Sequence, residues 1–292
     1  MHCDTVYAMQ EHCVKFDNNL TQVTQKQIEK YDRFEQVFAI WSHPKRSADQ
    51  CWQHYKAVKK YYDEHILPLK NDSFIPHLSV EGGALLDNDI TRLTALKSDN
   101  VVIMTLVWGS ECCIGGAHNT NIGLSPFGKT VLNKMCKLRI IPDISHASDK
   151  MICETFEIAS QYDFPVIASH SNSRKIRDHS RNITDDMFNC IKKSGGLTGI
   201  NLYTDFLEDA NIKAADISSI IRHIEHFLSL GGEDVLCLGC DFDGTDSLPK
   251  GISGVCDLDK LYEEMKKINY TDTLINKIFY DNAKHFFVRN NL

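Results

Sequence analysis

Five stretches of this 292-residue chain place histidine or carboxylate residues where a strand would end. "MHCDT" holds His2 and Asp4, "LSVEGG" holds Glu81, "PDISHAS" holds His146, and "VIASHSNS" holds His170. "LGCDFDG" holds Asp241, with Asp243 two residues on. Singly, each has an ordinary explanation: a rim histidine, a loop glutamate before Gly-Gly, or a turn, since Asp and Gly favour turns. Together they read as a metal-ligand set. Several carboxylates in one mouth would repel one another and resist desolvation, and divalent cations resolve that conflict. Three neutral imidazoles with two or three carboxylates suit zinc. A shared carboxylate can bridge two ions about 3.5–4 Å apart, as in two-metal hydrolases. In His2-x-Asp4, alternate residues of a strand point to one face, so both can reach one ion.

For these residues to meet, the strands that carry them must open onto a common mouth. Strand candidates run over 36–42, 76–82, 101–108, 139–146, 164–170, 196–203 and 235–241. Several are nearly continuous in apolar residues, as strands buried on both faces should be. Amphipathic stretches lie between them. "SPFGKTVLNKMCKL" has Pro126 after Ser125, "SDKMICETFEIASQY" starts at Ser148, and "TDDMFNCIKKSGG" follows Thr184. These are helix starts with capping residues. "DISSIIRHIEHFLSLGG" places Ile217, Ile220, Ile221, Ile224 and Leu228 on one helical face. Seven βα repeats, with "MHCD" at the end of an eighth strand, predict an α/β fold: a (β/α)8 TIM barrel, one domain over 1–292, its first strand short or truncated. A doubly wound open sheet is the alternative, but no glycine-rich nucleotide fingerprint follows the first strand.

Composition removes other classes. The formal charge of −7 argues against nucleic acid or an anionic membrane as partner. No apolar run of about 18 residues predicts a transmembrane segment. No leader is visible, so the cytoplasm is the expected location unless residues are missing upstream. The eleven cysteines are expected to be reduced and mostly buried, including the CxxC pair Cys237 and Cys240, which lies in an apolar strand.

The pieces "HCDT", "VEGG", "GLSPFGKTVLNKM", "DISHAS", "PVIASHS", "SRNITDD", "GCDFDG" and "DNAKHFF", in that order, resemble the membrane dipeptidase (renal dipeptidase) family of zinc peptidases in the amidohydrolase superfamily. The likeness covers essentially the whole chain. It implies a (β/α)8 barrel with two zinc ions that hydrolyses dipeptides by attack of a metal-bridging hydroxide. His2, Asp4 and Glu81 would hold one zinc; Glu81, His146 and His170 would hold the other, with Glu81 bridging. Arg181 in "SRN" would bind the dipeptide's terminal carboxylate, a task suited to a guanidinium fork. Without the resemblance, Arg181 reads as a surface salt-bridge residue. Asp241 would shuttle the proton. Dipeptides are the implied partners, and a homodimer is common in the family.

Two features depart from the family pattern. Only Met1 precedes His2, where the family usually has a short apolar strand. A ligand on an unpaired terminus would be mobile, so incomplete filling of the first zinc site is expected. Trp108 stands where many members carry a substrate-contacting histidine. Tryptophan cannot accept a proton, though its indole N–H can donate, so Trp108 is expected to wall the substrate pocket. The alternatives are another metal-dependent amidohydrolase, acting on N-acyl amino acids or cyclic amides, or a barrel that has lost turnover.

Overall fold

The computed structural model describes residues 1–43 and 45–292. Four strands pair in parallel in chain order: β1 (Phe34–Trp41), β2 (Phe74–Glu81), β3 (Val101–Thr105) and β4 (Ile141–Asp143). β5 (Thr198–Ile200) and β6 (Leu236–Leu238) form a second parallel pair. Short parallel bridges join the two sets into a ring. Ile167 bridges to Asp143, and Ala168 to Thr198; Cys3 bridges to both Phe38 and Phe242. The staves therefore run from Cys3 through β1 to β4, past 167–168, and on through β5 and β6 back to Cys3. A closed parallel ring is a (β/α)8 barrel and not the open sheet.

The amino-terminal stave is paired on both sides. The Cys3 N–H donates to Val37 (3.2 Å), the Ala39 N–H to Cys3 (2.8 Å), the Asp4 N–H to Phe242 (2.9 Å) and the Asp241 N–H to His2 (3.3 Å). The expectation of an unpaired, mobile terminus is corrected: two or three residues suffice, because each flank supplies backbone partners. Other staves are shorter than their apolar runs. The run 164–170 pairs only at Ile167 and Ala168, and 139–146 only over Ile141–Asp143. The chain leaves the ladder early because its N–H groups find side-chain acceptors: the amides of Ser145 and Ser169 donate to Asp143 at 3.0 and 2.9 Å.

Register then levels the strand ends. Trp41 lies opposite Glu81, Glu81 opposite Thr105, and Thr105 opposite Asp143. Helices start just past this level. Ser125, Ser148, Thr184 and Asp216 cap the helices Pro126–Leu138, Asp149–Ser160, Asp185–Lys193 and Ile217–Ser229 by accepting a backbone N–H three residues on. Each such cap contributes about 1 kcal/mol. Among the described residues, no helix is long and apolar enough to cross a membrane. All eleven cysteines are free thiols, but only Cys3, Cys51, Cys136, Cys237 and Cys240 are buried. The expectation of mostly buried thiols is corrected to this extent, since Cys13, Cys153 and Cys190 are exposed.

Candidate metal centre and active site

The strand ends bring His2, Asp4, Glu81, His146, His170 and Asp241 together. His2 Nε2 lies 3.3 Å from Asp4 Oδ2, 3.8 Å from Glu81 Oε2 and 3.6 Å from Asp241 Oδ1. The other Glu81 oxygen, Oε1, lies 2.9 Å from His146 Nε2 and 3.3 Å from His170 Nε2. Glu81 thus turns one oxygen to each set of ligand atoms. The Nε2 atoms of His146 and His170 are 3.0 Å apart.

Local backbone sets these directions. His146 and Asp241 have φ of +71° and +62°, left-handed values that cost a non-glycine residue about 1–3 kcal/mol and persist where the surroundings over-determine them. After Asp241 the chain turns at Gly244. A Cβ there would come within 2.2 Å of Asp4 Oδ2 and 2.6 Å of Asp241 Oδ1. Only glycine lets the loop pass so close to two carboxylates.

Electrostatics shows that this donor set is incomplete on its own. Burial by itself would lower the His2 pKa, but the carboxylates of Glu81, Asp4 and Asp241 outweigh it and raise the group to about 9. Glu81 is pushed well above the usual carboxylate range, first by burial and then by Asp4. Burial also raises Asp241, against the pull of His2. His146 and His170 are driven down by burial, with Arg181 and His2 adding repulsion. Asp4 Oδ1 is buried with no partner. Ligand atoms of His2, Glu81 and His170, and those of His2, Asp4 and Asp241, each lie within 4.8 Å of one another. Imidazoles and crowded carboxylates converging this closely fit divalent cations, whose charge would offset the repulsion among the carboxylates.

Arg181 is buried, with 3% of its surface exposed, so the surface salt-bridge reading fails. Its Nη1 donates to Ser171 Oγ (2.9 Å) and its Nη2 to the His170 carbonyl (3.1 Å). Its Nε is buried without a partner. Burial lowers its pKa to about 10, so it stays cationic at neutral pH. A cavity of about 450 Å³ opens over Asp4, Glu81, His146 and Asp241. Trp108 lines it, beside Trp41 (ring centroids 5.0 Å apart) and Tyr7. Tyr203 and Phe206 also line it, and Arg181 lies just behind, its guanidinium carbon 5.5 Å from the Phe206 ring.

Several members of this site escaped the sequence reading. Asn201 Nδ2 donates to Asp241 Oδ2 at 3.0 Å. Its signal was present: within "GLTGINLY" the polar Asn201 directly follows the strand residues Thr198–Ile200. Asp143, polar inside the apolar run "RIIPDISH", is fully buried beneath the ligands. Tyr7 and Phe206 lie in helices, Trp41 at a strand end and Tyr203 just before a short helix, with no distinguishing pattern.

Comparison with known proteins places this arrangement. Residues 55–288 match the model of the membrane dipeptidase family, peptidase family M19. The chain is 29% identical over 218 residues to dipeptidase 3 of Mus musculus, covering 72% of this chain and 43% of that protein. The chain thus spans less than half the length of that mouse relative. It is 30% identical over 213 residues to an uncharacterized Klebsiella pneumoniae protein of the pqqA 5′ region, covering 70% and 77%. A Rhodobacter sphaeroides metallopeptidase, liganded with a phosphinate mimic of the dipeptide L-Ala-D-Ala, shares the fold at TM-score 0.86 and 20% identity, covering 99% of this chain and 97% of that one. With Glu81, His146, His170, Arg181 and Asp241 all inside the matched span, the chain belongs to the membrane dipeptidase family.

Proposed function

We propose that this protein is a zinc-dependent dipeptidase, its single domain spanning 1–292. The observation that carries the reading is the split of Glu81, one carboxylate oxygen facing His2 and the other facing His146 and His170. His2, Asp4 and Glu81 would hold one zinc, and Glu81, His146 and His170 the other. When bound, the ions would acidify a water and polarise a carbonyl.

The chain's own residues do the rest. Asp241 takes the water's proton and passes it to the leaving amine, as general base and then acid. Asn201 fixes one Asp241 oxygen by hydrogen bonding, leaving Oδ1 directed at the His2 side. Burial disfavours the charge on Arg181, while the carboxylates of Asp241 and Glu81 favour it. Its unpartnered Nε offers a charge-assisted donor for a substrate carboxylate, which would hold a short substrate at the reacting groups. Trp108 and Trp41 wall the cavity and exclude water from the bound side chain. The mimic bound by the Rhodobacter sphaeroides relative makes L-Ala-D-Ala the first substrate to test.

The test is elemental analysis for metal per chain, paired with hydrolysis of L-Ala-D-Ala, L-Ala-L-Ala and an N-acyl amino acid on the same sample. Two zinc ions with dipeptide turnover are expected. Metal with cleavage of the N-acyl amino acid alone would move the substrate class, and a metal-free protein without turnover would overturn the reading.

A further inference from the structure

Beneath the ligands sits a carboxylate with no cationic side chain bonded to it. Asp143 is fully buried and accepts four hydrogen bonds. Its Oδ1 takes the backbone N–H groups of Ser145 (3.0 Å) and Ser169 (2.9 Å). Its Oδ2 takes the hydroxyls of Thr105 and Ser169, both at 2.6 Å. The Ser169 hydroxyl also lies 2.7 Å from Nδ1 of His170.

A hydroxyl has one proton to give and lone pairs to accept with. The Asp143 carboxylate is ringed by four donors and acts as acceptor to each, so the Ser169 proton points at Asp143. The Ser169 oxygen must then accept from His170, which requires the imidazole proton on Nδ1. That leaves the lone pair on Nε2, the atom facing Glu81 and His146. The side-chain hydrogen bonds of His2 and His146 run through Nε2 itself. His170 alone of the three is seen with an orienting side chain at its far nitrogen. Its backbone N–H is held as well, by Ser145 Oγ at 3.2 Å.

We propose that Asp143, acting through Ser169, is a positioning residue that fixes the tautomer and ring orientation of His170 for metal binding. The inference rests on His170 being a metal ligand, as in the proposed function. Orienting partners of metal-bound histidines typically carry 10–100-fold in metal affinity.

The chain of donors makes an unusual prediction for the isosteric variant. In Asp143→Asn, the two backbone N–H groups at Oδ1 select the amide oxygen for that position. The amide NH2 then faces Thr105 and Ser169 and donates to both hydroxyls. Ser169 must turn its proton toward His170, which places the imidazole proton on Nε2 and blocks the ligand atom. Asp143→Asn should therefore be worse than Ser169→Ala, which removes the preference without reversing it. Ser169→Thr keeps the hydroxyl and should restore wild-type behaviour.

The experiment uses the metal-free full chain labelled with 15N at histidine, the His170 signal being assigned by its loss in His170→Gln. Long-range 1H–15N spectra read the tautomer, and chelator competition with zinc reads affinity. Expected are an Nδ1-protonated His170 in the wild type and Ser169→Thr, a mixture in Ser169→Ala, and the Nε2-protonated form in Asp143→Asn. Zinc affinity should fall about 10-fold in Ser169→Ala and about 100-fold in Asp143→Asn. An Nδ1-protonated His170 with unchanged zinc affinity in either variant would overturn the proposal. Should Asp143→Asn fail to fold, Ser169→Ala decides alone, since it leaves Asp143 and its backbone bonds in place. Neither readout uses turnover, so a protein with this relay that ignored dipeptides would refute the dipeptidase reading and not the relay.

Discussion

Strand β2 buries one ionisable side chain in its amino half and another at its carboxyl end. Toward the amino end, His77 Nε2 lies 2.7 Å from Glu35 Oε1, and its ring stacks on Phe287 at 4.0 Å and 14°. One imidazole meets one carboxylate, and an aromatic face covers the pair. At the carboxyl end, Glu81 meets His2, His146 and His170, with Asp4 and Asp241 crowding the same space. There the carboxylates raise His2 to about 9, and His146 and Asp241 hold left-handed backbone. The lesson is about stoichiometry and packing more than residue type. At His77 one buried imidazole faces one carboxylate, and the pair holds the fold. Three of each, gathered by strand ends, leave charge that only cations can balance.

Substitutions at the two ends should separate accordingly. Glu81→Gln should disturb both metal positions together and cost several kcal/mol of transition-state stabilisation, a loss of about 10³-fold or more in kcat/KM. Metal content and dipeptide kinetics check it, and loss of one ion alone would argue against a shared ligand. Asp241→Asn should lower kcat by about 10²- to 10⁴-fold while metal content holds. Substantial residual turnover would shift the proton role to Asp243. Arg181→Ala should raise KM for dipeptides, with a loss of about 2–5 kcal/mol in binding, and spare a neutral amide substrate. Equal losses on both substrates would end the carboxylate-anchor role.

The amino end should respond in stability and not in chemistry. His77→Phe removes the partner of Glu35 and should cost about 1–3 kcal/mol in urea unfolding. Zinc content and kcat should match the wild type; a change in either would erase the contrast between the two ends. A smaller effect belongs to His223, a buried residue outside the site whose ring accepts from the Ser173 N–H (3.1 Å) and meets the Leu207 carbonyl (3.0 Å). Burial lowers its pKa to about 4, with Arg222 and His226 adding to the shift. Between the unfolded value of 6.5 and about 4, the unfolded chain binds the extra proton. Stability should therefore fall as pH drops through that window, and His223→Gln should flatten the slope measured by thermal unfolding across it.

Much of this was readable in the residues themselves. Alternation between apolar runs and capped amphipathic stretches implied the barrel, because buried parallel strands and covering helices leave distinct periodicities. Ser125, Ser148 and Thr184 marked their helices through local hydrogen bonds that need no distant partner. Glu81, His146, His170 and Asp241 were visible as polar residues ending apolar runs, and His2 and Asp4 by their alternate spacing, patterns that the chain carries locally.

Tertiary structure decided what depends on neighbours distant in sequence. Whether two or three residues could serve as a stave rested on backbone partners at Val37, Ala39 and Phe242. Without the family resemblance Arg181 reads as a surface charge; the fold buries it against Ser171 and His170. Asn201, Asp143 and Ser169 acquire their significance only through contacts across the ring, at separations of 26 to 40 residues. Local sequence encodes which way a side chain points within its own element. Which donor faces which acceptor is set by strand register and loop departure, and those emerge only when the ring closes.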